Sequence, residues 1–185
     1  GLEARAPVRV EMHDRAALRA YVVRRLDEEL PAAELAGIEA AYRLFGLLPD
    51  TLRLRPLLVE LYTEQVVGYY DPPTRTLYLV RGVPRAALRP VLAHELVHAL
   101  QDQHADLDSL VARRRGNDRQ AAAQAALEGH ATAVMFGFLL EEQAGRPVGP
   151  AALPDLADRL ASTLEAENER FPVFRAAPRI VRETV

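Results

Sequence analysis

Apolar side chains recur at three- and four-residue spacing through most of the chain, the period of an α-helix with one buried face. Leu18, Tyr21, Val22, Leu26 and Leu30 share such a face, and Asp14 stands where a side-chain cap would open the helix. Pro31 suits the first turn of a second helix, whose face carries Leu35, Ile38, Tyr42 and Phe45 and which Gly46 stops. A third stripe, Leu54, Leu57, Leu58, Leu61 and Tyr62, has Pro56 near its first turn. These three helices are expected to serve packing.

The period then changes. VRVEM, before the first helix, alternates and reads as a short strand, as do QVVGYY (Gln65 to Tyr70) and LYLV (Leu77 to Val80), which the Pro-containing turn DPPTRT joins. Gly82 and Pro84 break the chain, and Pro90 fits the first turn of the next helix. ADLDSLVARRRGN has few regular cues and reads as containing a loop. Asp118 can cap a long Ala-rich helix running to about Gln143, with Gly145 just past its end. GRPVGP is a linker-like break, Leu156, Leu160 and Leu164 mark one more helix, and FPVFRAAPRIV is too Pro-rich for a regular element. The expected class is α+β, mostly helical, with a small sheet.

At 185 residues, 49% of them hydrophobic, the chain suits one globular domain over 1–185. Its expected parts are a helical N-terminal region (1–64), the strands and a central helix (65–104), and a second helical region (105–185). Net charge is −3 with both signs interspersed, which argues against a nucleic-acid partner. Neither a membrane span nor a signal peptide is visible. The start at Gly1 and the stop after IVRETV suggest a piece of a longer chain, and an exported or membrane-tethered parent is plausible. Cysteine is absent, so His, Asp and Glu are the candidate metal ligands.

Those candidates concentrate in LAHELVHALQDQH (Leu92 to His104), which holds three of the five histidines. On a helix, His94 and His98 lie one turn apart on one face and can both present a ring nitrogen to one ion, while Glu95 projects to the adjacent side. That is the HExxH motif of zincins. A catalytic zinc needs a third protein ligand and an open position.

Two residues compete for that place. His104 has the metzincin spacing HExxHxxxxxH, but that group usually has a Gly three residues after the second His, where the helix turns sharply. Gln101 stands there, and a non-Gly residue in the left-handed conformation costs about 1–2 kcal/mol. The metzincin methionine turn is also hard to place, since Met135 lies in the Ala-rich helix and Met12 precedes the site. Glu128, in ALEGHAT, lies on the next long helix, and its small neighbours would let that helix approach HELVH. Gluzincins take their third ligand from such a Glu, often with an Asp four residues later; here that residue is Thr132, whose hydroxyl can still bond an imidazole N–H.

GYYDPPTRTLYLV, AHELVHALQDQH and ALEGHAT together resemble a gluzincin-type zinc metallopeptidase, within an uncharacterised bacterial group of that clan. The resemblance covers about Leu54 to Phe138, and family members usually continue past the point where this chain stops. It implies a zincin-like fold, with a small, mostly antiparallel sheet beside the active-site helix, and Zn2+ held by His94, His98 and Glu128. A water on the ion, made acidic by it, would lose its proton to Glu95 as general base and attack a peptide carbonyl of a peptide or protein substrate. GYYD would be the edge strand against which that peptide pairs, through the backbone of Gly68, Tyr69 and Tyr70. No Tyr follows Tyr78 to stabilise the oxyanion, which leaves His104 ahead of His130, since His130 lies only two residues from Glu128 and points away from the ion. The alternative function is a zincin-fold module that binds zinc or a partner without cleaving; another is a helical interaction domain with incidental histidines.

Overall fold

The computed structural model describes residues 2–112, 117–146 and 170–184. In chain order the elements are β1 (Arg9–His13), α1 (Arg15–Glu29), α2 (Ala32–Leu44), α3 (Leu54–Gln65), β2 (Gly68–Asp71), β3 (Thr76–Val80), α4 (Arg85–His104), α5 (Leu107–Leu110), α6 (Asn117–Ala144), α7 (Pro172–Ala176) and α8 (Arg179–Thr184). The class is α+β and mostly helical, as the periodicity requires. The chain divides into two compact units, one of Gly1–Asp14 and Val67–Leu153, the other of Arg15–Val66 and Pro154–Val185.

The first unit holds the sheet, in the order β1-β3-β2. It is mixed, not mostly antiparallel: β2 runs antiparallel to β3, but β1 runs parallel to it, with Arg9 opposite Thr76 and His13 opposite Val80. A parallel pair needs a long connection, and the stretch from β1 to β3, with three helices in it, supplies one. The turn between β2 and β3 closes with the Arg75 N–H donating to the Pro72 carbonyl at 3.1 Å, and the Thr74 hydroxyl donates to Asp71 Oδ2 at 2.7 Å. Tyr70, Leu77 and Leu79 form one sheet face, packed against Ala99 and the stripe Leu88, Leu92 and Leu96 of α4. At Gly68 the helix comes so near that a Cβ would lie 2.8 Å from Val91 Cγ1 and 3.1 Å from Leu79 Cδ2. No larger residue fits there without moving its neighbours.

The second unit is built on Leu35, Leu48, Leu54, Leu61, Phe174, Ala177 and Val181. Its C-terminal part corrects the expectation for FPVFRAAPRIV, which forms α7 and α8. Pro172 sits in the first turn of α7, where its missing N–H removes no hydrogen bond. The Glu64 carboxylate accepts from the Val173 N–H at 3.1 Å, capping the short helix from α3.

Other differences are local. α2 ends at Leu44 in a Schellman arrangement, with Gly46 at φ 69° and Leu47 N–H donating to the Tyr42 carbonyl at 2.8 Å. Phe45, expected on the buried face, is therefore the cap residue and 73% exposed. Gln65 closes α3 and does not open β2. Within ADLDSLV, Asp106 accepts from the Ser109 N–H at 3.0 Å and opens α5. The helix expected at Leu156 to Leu164 lies outside the described residues.

Candidate metal centre

Two helices of the first unit, α4 and α6, pack along each other and carry the site. α4 begins at Arg85 with Pro84 as its cap residue, so Pro90 lies inside the helix and not in its first turn. From there it runs without a break through Gln101 to His104. On α6, Ala131 is completely buried and Ala123 half-buried, whereas Ala121, Ala122, Ala125 and Ala126 of the run before Glu128 are exposed.

His94, His98 and Glu128 meet here. Among the described residues they form the group of His, Asp and Glu able to share an ion, with one ligand atom of each inside 4.8 Å of the others. The two Nε2 atoms are 3.0 Å apart, and Glu128 Oε2 lies 3.2 Å from that of His94 and 3.5 Å from that of His98. Donors each roughly 2.0–2.1 Å from a tetrahedral zinc stand about 3.3 Å from one another. The three residues fit a zinc ion, and two imidazoles with one carboxylate would leave its fourth position open.

The charges are strongly coupled. Hydrogen bonds from His94 and His98 hold the Glu128 carboxyl well below the usual carboxylate range, against the opposing effect of burial. For His98 burial again works the other way, disfavouring the imidazolium, but the Glu128 and Gln101 hydrogen bonds and the Glu128 and Glu95 charges raise its pKa overall. Burial pushes the Glu95 carboxyl up, and the His98 and His94 charges and the Tyr70 N–H only partly offset it. Glu95 is thus a carboxyl of raised proton affinity beside two imidazoles.

Glu95 also touches the sheet: its Oε2 accepts from the Tyr70 N–H at 2.9 Å. β2 is an edge strand. Since Tyr70 N–H turns away from β3, the alternation of an antiparallel pair directs the backbone groups of Gly68 and Tyr70 outward. The Tyr70 ring lies in the core, with its hydroxyl donating to Asp102 Oδ2 at 2.9 Å. Tyr69 is on the other face, where its hydroxyl and His13 Nδ1 share a 2.8 Å hydrogen bond.

Other expected residues lie apart from the three donor atoms. His104 Nε2 donates to the Glu3 carbonyl at 2.7 Å, and α4 makes no turn that would swing its ring back towards His98. Thr132 is half-buried one turn beyond Glu128, and among the described residues no hydrogen bond joins it to either ring. The partner of His98 is instead Gln101, whose Oε1 lies 2.9 Å from Nδ1. Gln101 is only 6% exposed, and its Nε2 reaches the Leu127 carbonyl at 3.2 Å and His130 Nδ1 at 3.1 Å. In the sequence Gln101 speaks only against a helical break, and its contact with His98 is not apparent there. The available signal was its place three residues after His98, on the same helix face.

No family model, curated protein or solved structure matches the chain.

Proposed function

We propose that this chain is a zinc-dependent peptidase of gluzincin-like type, with His94, His98 and Glu128 holding the ion and Glu95 as general base. The observation that carries the proposal is the convergence of three donor atoms, on two helices, at separations of 3.0, 3.2 and 3.5 Å beside a buried carboxylate. When bound, zinc supplies an acidified water and an electrophile for a peptide carbonyl. Glu95 accepts the water's proton and passes it to the leaving amine, so that no covalent acyl-enzyme forms. Burial of Glu95 raises its proton affinity, which favours its accepting a proton from a neighbouring water.

The same carboxylate faces β2, which gives the substrate a place. An extended peptide can add to the outward backbone groups of Gly68 and to the Tyr70 carbonyl, the Tyr70 N–H being held by Glu95, with its scissile carbonyl between strand and metal ligands. The residue at position 68 must stay small to keep β2 against α4.

The test combines metal content with cleavage of a peptide library by the wild-type chain and Glu95→Gln. The expected result is one zinc per chain in both, with cleavage in the wild type alone. Zinc without cleavage in either would make the chain a binding module, and absence of zinc after chelation and reloading would leave the histidines incidental.

A further inference from the structure

We infer that Gln101 is a positioning residue that presets His98 in the tautomer a metal requires, by relaying the polarity of a backbone carbonyl on α6. The inference rests on the zinc site proposed above, but its first consequence is readable without any metal.

The logic starts at Leu127, next to Glu128. Its carbonyl can only accept, so the Gln101 atom 3.2 Å away must be the amide nitrogen. The second amide hydrogen then goes to His130 Nδ1, 3.1 Å away. With both hydrogens engaged and the nitrogen so placed, Oε1 is the atom that faces His98, 2.9 Å from Nδ1. That oxygen can only accept, so Nδ1 of neutral His98 carries the proton and Nε2 keeps a bare lone pair. Nε2 lies 3.0 Å from His94 Nε2 and 3.5 Å from Glu128 Oε2: the imidazolium donates there to Glu128, and once His98 has lost that proton its bare Nε2 accepts from the Nε2–H of His94. A flipped amide would set oxygen against oxygen at Leu127, and burial of Gln101 removes the water that could relieve such a clash.

One side chain thus joins the ring of one proposed ligand to the backbone just before another, across the two helices. His94 differs: among the described residues its Nδ1 has no such partner. The site is therefore asymmetric: Gln101 fixes the tautomer of His98, whereas the two acceptors beside His94 Nε2, the Glu128 carboxylate and the neutral His98 ring, hold the proton of His94 on Nε2 in the metal-free chain.

Two variants test this. Gln101→Leu removes the acceptor with little change in volume, whereas Gln101→Glu keeps an acceptor for Nδ1–H. In the metal-free chain in alkaline buffer, nitrogen NMR of His98, assigned by its loss in His98→Asn, should show the Nδ1–H tautomer in wild type and Gln101→Glu. The proton should move to Nε2 in Gln101→Leu. Competition with a chromophoric chelator should show zinc binding weakened about 10–100-fold in Gln101→Leu, the range for loss of a partner of a ligand histidine, and restored in part in Gln101→Glu, which keeps the acceptor for Nδ1–H but sets its second oxygen against the Leu127 carbonyl. An Nε2–H tautomer in wild type would overturn the inference, as would zinc affinity in Gln101→Leu equal to that of wild type. If Gln101→Leu fails to fold, the wild-type tautomer and the Gln101→Glu affinity still decide. If wild type binds no zinc, the metal-site proposal fails while the tautomer measurement still judges the role of Gln101.

Discussion

The two compact units use their carboxylates differently. In the second unit the inward carboxylates answer to the backbone: Glu39 Oε1 accepts from the Leu54 N–H at 2.7 Å, and Glu64 caps α7. In the first, titratable side chains face one another, with Glu128 between two imidazoles and Glu95 beside them. A carboxylate that satisfies helix N–H groups lowers the cost of burying a helix end. Glu128, facing two imidazoles, has no backbone partner among the described residues, and its place beside them suits a shared cation. Carboxylates serve helix ends in one unit and, under the function proposed above, an ion in the other.

Exchanging the kinds of damage between units tests that contrast. The largest effect is expected from Glu128→Ala, which should abolish zinc binding in equilibrium dialysis while leaving the circular dichroism of the metal-free chain unchanged. His104→Ala should keep its zinc; the reverse pattern would transfer the third-ligand role to His104. Leu61→Ala, at a fully buried position of the second unit, should lower unfolding stability by about 2–5 kcal/mol in denaturant titration and leave zinc affinity alone. Equal loss of zinc in both variants would erase the distinction.

The smallest effect concerns Glu39 and pH. Burial would raise its pKa, but the Leu54 N–H and the Arg43 guanidinium lower it below the ordinary 4.5. A depressed carboxyl contributes stability above its unfolded value, and that contribution is lost as pH falls through the lower folded value. Glu39→Gln should therefore be less stable at neutral pH by about 1 kcal/mol, with the gap to wild type closing in acid. A gap that stays constant as the pH falls through this range would mean that the carboxylate charge contributes nothing there.

How far the sequence could be read differs between the same two regions. The stripes at Leu18, Leu35 and Leu61 foretold the helices of the second unit, because burial on one face leaves a local period. FPVFRAAPRIV was opaque because its helices are short and depend on Phe174, Ala177 and Val181 reaching a core formed elsewhere in the chain. In the first unit, HELVH announced its own geometry, while the edge position of GYYD beside β3 came only from the resemblance. Gln101 stayed hidden because an amide on a helix has no fixed meaning until its partners are known.

Sequence by itself determined that His94 and His98 stand one turn apart with Glu95 alongside, since the helical repeat sets those relations within a few residues. Tertiary structure decided that Glu128 meets the two imidazoles while His104 turns to Glu3, that β1 joins β3 in parallel, and that Gln101 spans α4 and α6. Each of those outcomes depends on two segments distant in the chain coming within hydrogen-bonding reach, and no local period encodes that.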